Sequence, residues 1–163
     1  MELHRMLATL VAAALLGAWT PLPHATPDAC ALLTANEVGA ALEIGNAPGR
    51  RAFASSASSC IWSDDTADAL NHRRFTLNTI PVATFDRRKT TSIPQFTMVP
   101  VTDVGDEAFY EQLRTHESPF LIVRKGGSAF EVRVLNGFKL KAFTLDQEKA
   151  IEAQLGKLAA GRL

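Results

Sequence analysis

Residues 120–135 read FLIVRKGGSAFEVRVL, and this stretch decides the fold class. Two apolar runs are joined by Gly126-Gly127, and such a pair between apolar runs is typical of a β-hairpin with a tight turn. In the second run apolar and charged residues alternate in the order Phe130, Glu131, Val132, Arg133, Val134. Because successive side chains of a strand point to opposite faces, this pattern predicts an antiparallel sheet with one buried and one polar face.

Further strands are predicted before this hairpin. The segment from His72 to Ile80 alternates cleanly, with Phe75 and Leu77 on one side and polar residues between them. Less regular apolar segments predict strands near Arg51, at Cys60–Trp62, at Phe96–Val101 and at Ala108–Leu113. Pro100 restricts its segment to an edge or a strand end, because proline has no amide proton to donate.

Helices are predicted at both ends of the sheet region. The first runs from about Asp28 to Leu42 and contains a T-x-x-E capping box at residues 34–37. The last runs from Thr144 to Leu158, where a second capping box precedes an apolar stripe. A short helix between strands is predicted at Val82–Thr90. The sequence thus predicts a single α+β domain over residues 26–163. It is an antiparallel sheet of five to six strands with the N- and C-terminal helices packed on one face.

The length and composition fit a folded soluble protein. The chain has 163 residues, which corresponds to one domain. Its 17 basic and 17 acidic residues give zero formal charge, which argues against nucleic-acid binding because such proteins need many basic side chains to meet phosphates. Apolar residues make up 47% of the chain, unlike collagen-like, coiled-coil or low-complexity sequences.

Residues 1–25 are typical of a secretory signal peptide. A basic start precedes the apolar run MLATLVAAALLGAW of residues 6–19, which is too short to span a bilayer. Cleavage after Ala25 and cleavage after Ala18 are alternatives, and an uncleaved anchor is a third interpretation. Cys30 lies too far beyond the apolar run for lipid attachment. We therefore expect an exported protein, periplasmic or secreted, without a stable membrane anchor after signal cleavage.

Cys30 and Cys60 are the only cysteines. Export would place them in an oxidising compartment, where a disulfide between them can persist. Two free thiols or a redox pair are the alternatives, although the spacing is not the C-x-x-C of a redox motif. Two cysteines with scattered histidines do not make a zinc site, so we expect no metal and no cofactor.

The order of several short motifs resembles a family of small exported bacterial proteins. The motifs are Cys30-Ala-Leu-Leu-Thr34, Cys60-Ile-Trp62, Gly105-Asp-Glu-Ala-Phe-Tyr110, the glycine-containing hairpin and the terminal helix. The family has no established function, and this chain departs from its lipoprotein members by lacking the lipid-attachment cysteine. The resemblance implies a Cys30–Cys60 disulfide and an α+β sandwich similar to that of the photosystem-associated PsbP proteins. It implies no catalytic residues.

Common catalytic motifs are absent from the sequence. The chain contains no G-x-S-x-G, H-E-x-x-H, S-x-x-K, G-x-G-x-x-G or Walker motif. His72 and His116 are interpreted as solvated residues, and the acidic cluster Asp64, Asp65 and Asp68 lacks the spacing of a calcium loop. We therefore expect no catalytic residues and a protein that is not an enzyme.

Charge is distributed unevenly along this neutral chain. Residues 50–89 hold seven bases against four acids, whereas residues 103–117 hold five acids against one base. This predicts a two-signed surface that can steer a charged partner, with an ordinary solvated surface as the alternative. The candidate partner-binding residues are Arg73, Arg74, Arg87, Arg88, Lys89 and Arg133.

Most aromatic residues are expected in the core, but Trp62 and Tyr110 are candidates for lining a ligand pocket.

These observations favour a binding domain over an enzyme. We expect the protein to engage a protein partner in the cell envelope, and an inhibitor or immunity-type role falls within this class. A carrier of a small molecule or lipid is the first alternative. A hydrolase without a recognisable motif is the second.

Overall fold

Seven antiparallel strands form one sheet in the computed structural model, which describes residues 26–64, 73–91, 94–113, 119–136 and 143–163. In chain order the strands are β1 Gly49–Arg51, β2 Ser59–Ser63, β3 Arg74–Ile80, β4 Phe96–Val101, β5 Glu107–Leu113, β6 Phe120–Lys125 and β7 Ser128–Leu135. Their order across the sheet is β1-β2-β3-β7-β6-β5-β4. The sheet therefore consists of two meanders, β1 to β3 and β4 to β7, which meet where β3 pairs with β7.

Helices cover both faces of this sheet. In the described residues they are a 3₁₀ turn at Ala29–Ala31, α1 Ala35–Leu42, α2 Val82–Thr90 and α3 Leu145–Ala160. The 3₁₀ turn, α1 and α3 pack on one face, here called the inner face, whereas α2 packs on the opposite, outer face. The predicted α+β fold, with both terminal helices on one face, is confirmed.

The predicted number of strands, five to six, is wrong because the sheet has seven. The segment predicted near Arg51 is the short edge strand β1, whose three residues are all exposed, so that no apolar alternation defines its bounds in the sequence. It forms because its backbone pairs with β2, with Arg50 opposite Ile61 and Arg51 opposite Cys60.

The hairpin at residues 120–135 forms as predicted. Lys125 pairs with Ser128 across a two-residue turn. Gly126 in this turn has a φ of 55°, a conformation that glycine adopts without steric cost. Phe130, Val132 and Val134 of β7 are buried on the inner face. Glu131 and Arg133, which alternate with them, lie on the outer face.

The main core lies between the inner face and helices α1 and α3. Its largest fully buried side chains include Trp62, Phe75, Phe130, Leu42 and Leu155. The rings of Trp62 and Phe75 pack with their centres 5.9 Å apart. Burial of this apolar surface, at about 25 cal/mol per Å², is the principal contribution that favours folding.

The predicted helix from Asp28 to Leu42 is divided into two pieces. The Asp28 carboxylate caps the 3₁₀ turn by accepting a 3.0 Å hydrogen bond from the Cys30 N–H. Thr34 is extended, with φ −92° and ψ 156°, and α1 begins after it. An extended residue interrupts a helix, so the capping box marks the start of α1 rather than its interior.

Both predicted capping boxes are formed. Thr34 Oγ1 accepts from the Glu37 N–H at 3.3 Å, and the Glu37 carboxylate accepts from the Thr34 N–H at 2.8 Å. Thr144 and Gln147 repeat the arrangement at the start of α3. The Glu37 carboxylate also accepts hydrogen bonds of 2.9 and 2.6 Å from Arg162, which lower the pKa of Glu37 to about 2. The first and last helices are thereby joined through Glu37.

Cys30 and Cys60 form a disulfide that joins the 3₁₀ turn to β2. An ion pair between Arg51 and Asp28, 2.6 Å long, spans the same region. The disulfide therefore ties the 3₁₀ turn to β2, and the ion pair ties it to β1.

Gly49 allows β1 to approach the disulfide closely. A Cβ atom at this position would lie 2.6 Å from Trp62 Nε1 and 3.2 Å from Cys60 Sγ. The first of these distances is shorter than real Cβ contacts, so a larger residue would displace β1 from Trp62.

Several predictions fall on residues outside the described ranges. These are the export signal at residues 1–25, the acids Asp65 and Asp68, and the histidines His72 and His116. Within the ranges described, no helix is both long and apolar enough to cross a membrane.

Removal of the disulfide should destabilise the fold strongly. Cys30 and Cys60 are 30 residues apart, and loop entropy then predicts a loss of about 3.5 kcal/mol in the free energy of unfolding. Urea unfolding of the wild type should show this loss after reduction, and the Cys30→Ser/Cys60→Ser variant should show it without a reductant. That variant is the control, because a reductant should not change its unfolding midpoint. An unchanged midpoint for the reduced wild type would contradict the prediction.

Candidate functional site

Charged side chains on the outer face form two groups with different environments. One group lies beneath and beside α2, and we call it the ion-pair cluster; it comprises Asp86, Arg88, Lys89, Glu107, Glu111, Arg124 and Glu131. The other group lies toward the β1 edge, and we call it the arginine patch; it comprises Arg50, Ser63, Arg74, Thr76 and Arg133. The pairing register and strand alternation place all of the strand residues in both groups on the outer face.

The ion-pair cluster exists because α2 packs across the second meander. Phe85 of α2 is fully buried against Phe109, Ile122 and Ala129, with the Phe85 and Phe109 ring centres 5.2 Å apart. This contact fixes α2 over β5, β6 and β7. The basic residues in the last turn of α2 then lie above acidic residues of the sheet.

Arg88 is the centre of the ion-pair cluster. Its Nε donates to Glu111 Oε2 at 2.9 Å, and its terminal nitrogens form ion pairs with Glu111 and Glu131. Glu111 is only 6% exposed, so its charge depends on this guanidinium for compensation. Lys89 forms an ion pair with Glu107, which Arg124 also contacts at 3.0 Å.

This arrangement changes how the candidate residues Arg87, Arg88 and Lys89 of α2 can act. Arg88 and Lys89 are engaged within the chain, so their charges are largely compensated by acids of the sheet. Arg87 is exposed and makes no ion pair or side-chain hydrogen bond with the described residues. The basic and acidic segments, which the sequence separates, therefore meet in space and partly neutralise each other.

Arg73 has a different setting from the other candidates. Its Nη1 donates to the Leu42 carbonyl oxygen at 2.9 Å, at the end of α1, and lies 3.3 Å from the Glu43 carboxylate. Its guanidinium also lies 4.3 Å from the centre of the Phe143 ring. These contacts tie β3 to α1 and to the residues before α3, which is a structural role.

The arginine patch contains the candidates Arg74 and Arg133. Thr76 of β3 pairs with Arg133 of β7, so Arg74 and Arg133 are diagonal neighbours. In an antiparallel sheet the Cα atoms of such neighbours are about 7–8 Å apart. Both are half-buried, and neither forms an ion pair with an acid of the described residues. The positive charge of neither arginine is therefore neutralised by an ion pair within the described residues.

Arg133 is held in place by an aromatic ring. Its guanidinium lies 4.5 Å from the centre of the Phe120 ring. Stacking on the ring face leaves the donors at the edge of the guanidinium available for an oxyanion. The Nε atom of Arg133 is buried and has no hydrogen-bond partner within the part of the chain that the structure describes.

Arg50 joins the patch from the edge strand, and we did not predict it as a site residue. Its Nη2 donates to Ser63 Oγ at 3.3 Å, and Ser63 lies directly opposite Arg74 in the pairing of β2 with β3. The guanidinium of Arg50 therefore lies beside the residue that pairs with Arg74. The sequence shows Arg50 and Arg51 side by side, but only the register of β1 determines which of them lies on the outer face.

The candidate pocket residues Trp62 and Tyr110 are both core side chains. Trp62 is 1% exposed and Tyr110 is 6% exposed. The Tyr110 hydroxyl donates to the Lys149 carbonyl oxygen at 2.5 Å, and burial raises the pKa of Tyr110. Neither residue lines the two surface depressions described next.

Two adjoining depressions lie at the Gly127 end of the sheet. The first, of about 390 Å³, is lined by apolar and hydroxyl side chains that include Ile80, Val82, Thr79 and Ser128. The second, of about 490 Å³, is lined by residues that include Asp106, Lys125 and Arg162. Both are open to solvent, and each of the charged groups in the second has an ion-pair partner.

Glu152 is a fully buried acid on the inner side of the sheet. Its Oε1 accepts a 2.8 Å hydrogen bond from the Val134 N–H, whereas Oε2 has no partner within the described residues. Burial raises the pKa of Glu152 to about 9, against the opposing effect of the Val134 N–H. The side chain is enclosed between α3 and β7, where no substrate could reach it, so we interpret it as a structural group.

The residues described supply no metal centre. Among them, no group of three or more His, Cys, Asp or Glu side chains is placed to hold an ion. What the arrangement can do is bind an anion at the arginine patch, because it gathers cationic donors without acids.

Comparison of the chain with protein-family models, with curated proteins and with solved structures gives no match. The family resemblance that the sequence motifs suggest therefore stays a prediction.

The raised pKa of Glu152 predicts a stability that falls as pH rises. Between about pH 5 and pH 8 the unfolded chain loses this proton while the folded chain keeps it, so each pH unit costs at most about 1.4 kcal/mol. Glu152→Gln should remove the dependence, so that its stability relative to wild type increases from pH 5 to pH 8. Urea unfolding at several pH values measures this trend.

Asp146→Asn, which removes an exposed acid from the same helix, controls for loss of a negative charge. A constant difference between wild type and Glu152→Gln across this pH range would contradict the assignment of a protonated carboxyl.

Proposed function

We propose that this protein is an exported, non-catalytic binding domain that engages a protein partner in the cell envelope. An inhibitor or immunity-type role falls within this proposal. The observation that carries it is the arginine patch, where Arg50, Arg74 and Arg133 share one face of the sheet without a carboxylate partner among the described residues. The partner would present an acidic surface.

The contrast between the two halves of the outer face supports this choice. In the ion-pair cluster every base has an acid within the same chain. Ordinary surface arginines are solvated and mobile, but Arg133 is stacked on Phe120 and Arg50 is bonded to Ser63. Fixed arginines lose less conformational entropy when they bind, and arginine is common among the residues that dominate binding energy.

The proposed location follows from two further observations. Residues 1–25 have the composition of a secretory signal peptide, and the Cys30–Cys60 disulfide is of a kind that persists in oxidising compartments. The absence of a membrane-crossing helix among the described residues is compatible with this location. The family resemblance, proposed from the motif order, adds the same expectation of export.

The alternatives have less support in the described residues. A carrier would be favoured by an enclosed apolar cavity, whereas the two depressions are open and shaped by turns at one end of the sheet. A hydrolase would need a nucleophile, a base and oxyanion donors that converge. The hydroxyl groups lining the first depression have no titratable group among its lining residues to act as a base.

Charge reversal in the arginine patch should slow association with the acidic partner. The Arg74→Glu/Arg133→Glu variant exchanges attraction for repulsion, so the association rate should fall by about tenfold or more at low salt, with a smaller effect at high salt. Capture from an envelope extract with the purified, oxidised protein identifies the partner. Surface plasmon resonance against that partner then gives the rates.

Arg87→Glu/Lys157→Glu is the matched control. It makes the same change in net charge at two exposed positions, one on α2 and one on α3, away from the patch. Its association rate should stay within about twofold of wild type. Equal losses in both double variants, or no protein captured by the wild type, would contradict the proposal.

A further inference from the structure

We propose that Arg50 and Arg74, with Ser63 as a positioning residue, form a defined subsite for one oxyanion within the arginine patch. This inference rests on the proposed function and specifies the chemistry of its site. The ligand is a carboxylate or phosphate group with two oxygens that can each accept from a guanidinium.

The sheet register brings the two arginines to the same place. Ser63 is directly opposite Arg74, and Arg50 donates to Ser63 Oγ at 3.3 Å. Residues directly opposite in an antiparallel pair have Cβ atoms only about 5 Å apart. The Arg50 guanidinium is therefore anchored beside the strand position from which the Arg74 side chain emerges. Ser63 is itself 3% exposed, so its hydroxyl is a fixed point.

The register places these two cationic residues close together on one face, and like charges repel each other unless an anion lies between them. Neither arginine forms an ion pair with an acid of the described residues, and within these residues the Arg50 side chain forms no hydrogen bond other than that to Ser63. Guanidinium groups do not lose their charge at any pH that proteins experience. An oxyanion that accepts from both would replace this repulsion with charge-assisted hydrogen bonds.

The acids that lie close to the subsite in the sequence or the register have interactions of their own. Glu131, two residues from Arg133 on β7, accepts from Asn78 at 3.1 Å and pairs with Arg88. Asp28 pairs with Arg51, the neighbour of Arg50 that points to the opposite face. Asp64 follows Ser63 along the chain and has an interaction of its own. An external anion is therefore the complement that this pair of arginines lacks.

Arg133 extends the subsite toward β7. It lies diagonally from Arg74 and is stacked on Phe120. A ligand bound by Arg50 and Arg74 could therefore place a second negative group against Arg133. A dicarboxylate or an acidic peptide segment has this form. Inorganic phosphate has a single centre and would occupy the Arg50–Arg74 pair alone.

The subsite can be tested with small anions of defined chemistry. The purified, oxidised protein, labelled with ¹⁵N at arginine, is titrated separately with sodium phosphate, sodium succinate and sodium chloride at matched ionic strength. The Nε–Hε resonances of Arg50 and Arg74 should shift saturably with phosphate, succinate or both. The resonance of Arg87 should follow the chloride control. The anion that saturates at lower concentration distinguishes a phosphate ligand from a carboxylate ligand.

Variants separate binding from positioning. Arg50→Gln and Arg74→Gln should each weaken the affinity for the preferred anion by about tenfold or more, because each removes a charge-assisted hydrogen bond. Ser63→Ala should weaken the anion affinity less. In the absence of anion it should broaden or shift the Arg50 resonance alone, whereas a general effect on folding would alter the other arginine resonances as well. Arg87→Gln is the matched control and should bind like wild type.

The outcomes also separate this inference from the proposed function. Shifts that are linear and equal for Arg50, Arg74 and Arg87 would indicate an adventitious ion only and would overturn the subsite. Saturable binding lost in Arg50→Gln and Arg74→Gln would establish the subsite even if no protein partner is captured. If partner capture depends on Arg133 while the resonances of Arg50 and Arg74 respond to no anion, the proposed partner stands and the subsite is refuted.

Discussion

The pairing of β3 with β7 is the constraint on which both the core and the arginine patch depend. Seven residue pairs, from Arg74–Leu135 to Ile80–Ala129, join two meanders that are otherwise separate in the sheet. A shift of this register by one residue would turn every side chain of one strand to the other face. The observed register places Phe75 and Val134 together in the core. It places Thr76 opposite Arg133 on the outer face at the same time.

The outer face shows how a chain of zero net charge can carry a local cationic site. The packing of Phe85 draws α2 over one half of this face, and the charges there are matched in pairs. The arginines toward β1 have no such helix above them in the described part of the chain. Composition alone therefore describes the average of two regions, one compensated and one cationic.

The parts of the fold that were predictable are those that depend on local patterns. The Gly126-Gly127 turn, the alternation of β3 and β7 and both capping boxes involve residues only a few positions apart. The Arg88 ion pairs link residues 23 and 43 positions apart, and no local pattern reports them. The register of β1 likewise depends on its pairing with β2 across a loop, which no local pattern reports. Arg74 and Arg133 were predicted as site residues from strand polarity, whereas Arg50 required the register of β1.

The disulfide connects the stability of the fold to the geometry of the patch. β2 carries Cys60 on its inner side and Ser63 on its outer side, so the strand that is tied to the 3₁₀ turn also positions Arg50. β1 pairs with β2 alone and lies at the edge of the sheet, where few contacts oppose fraying. Arg74 and Arg133, in contrast, lie on the two central strands. Loss of the disulfide would therefore loosen the Arg50 side of the patch before it disturbed the other two arginines, and an oxidising compartment would favour the complete site.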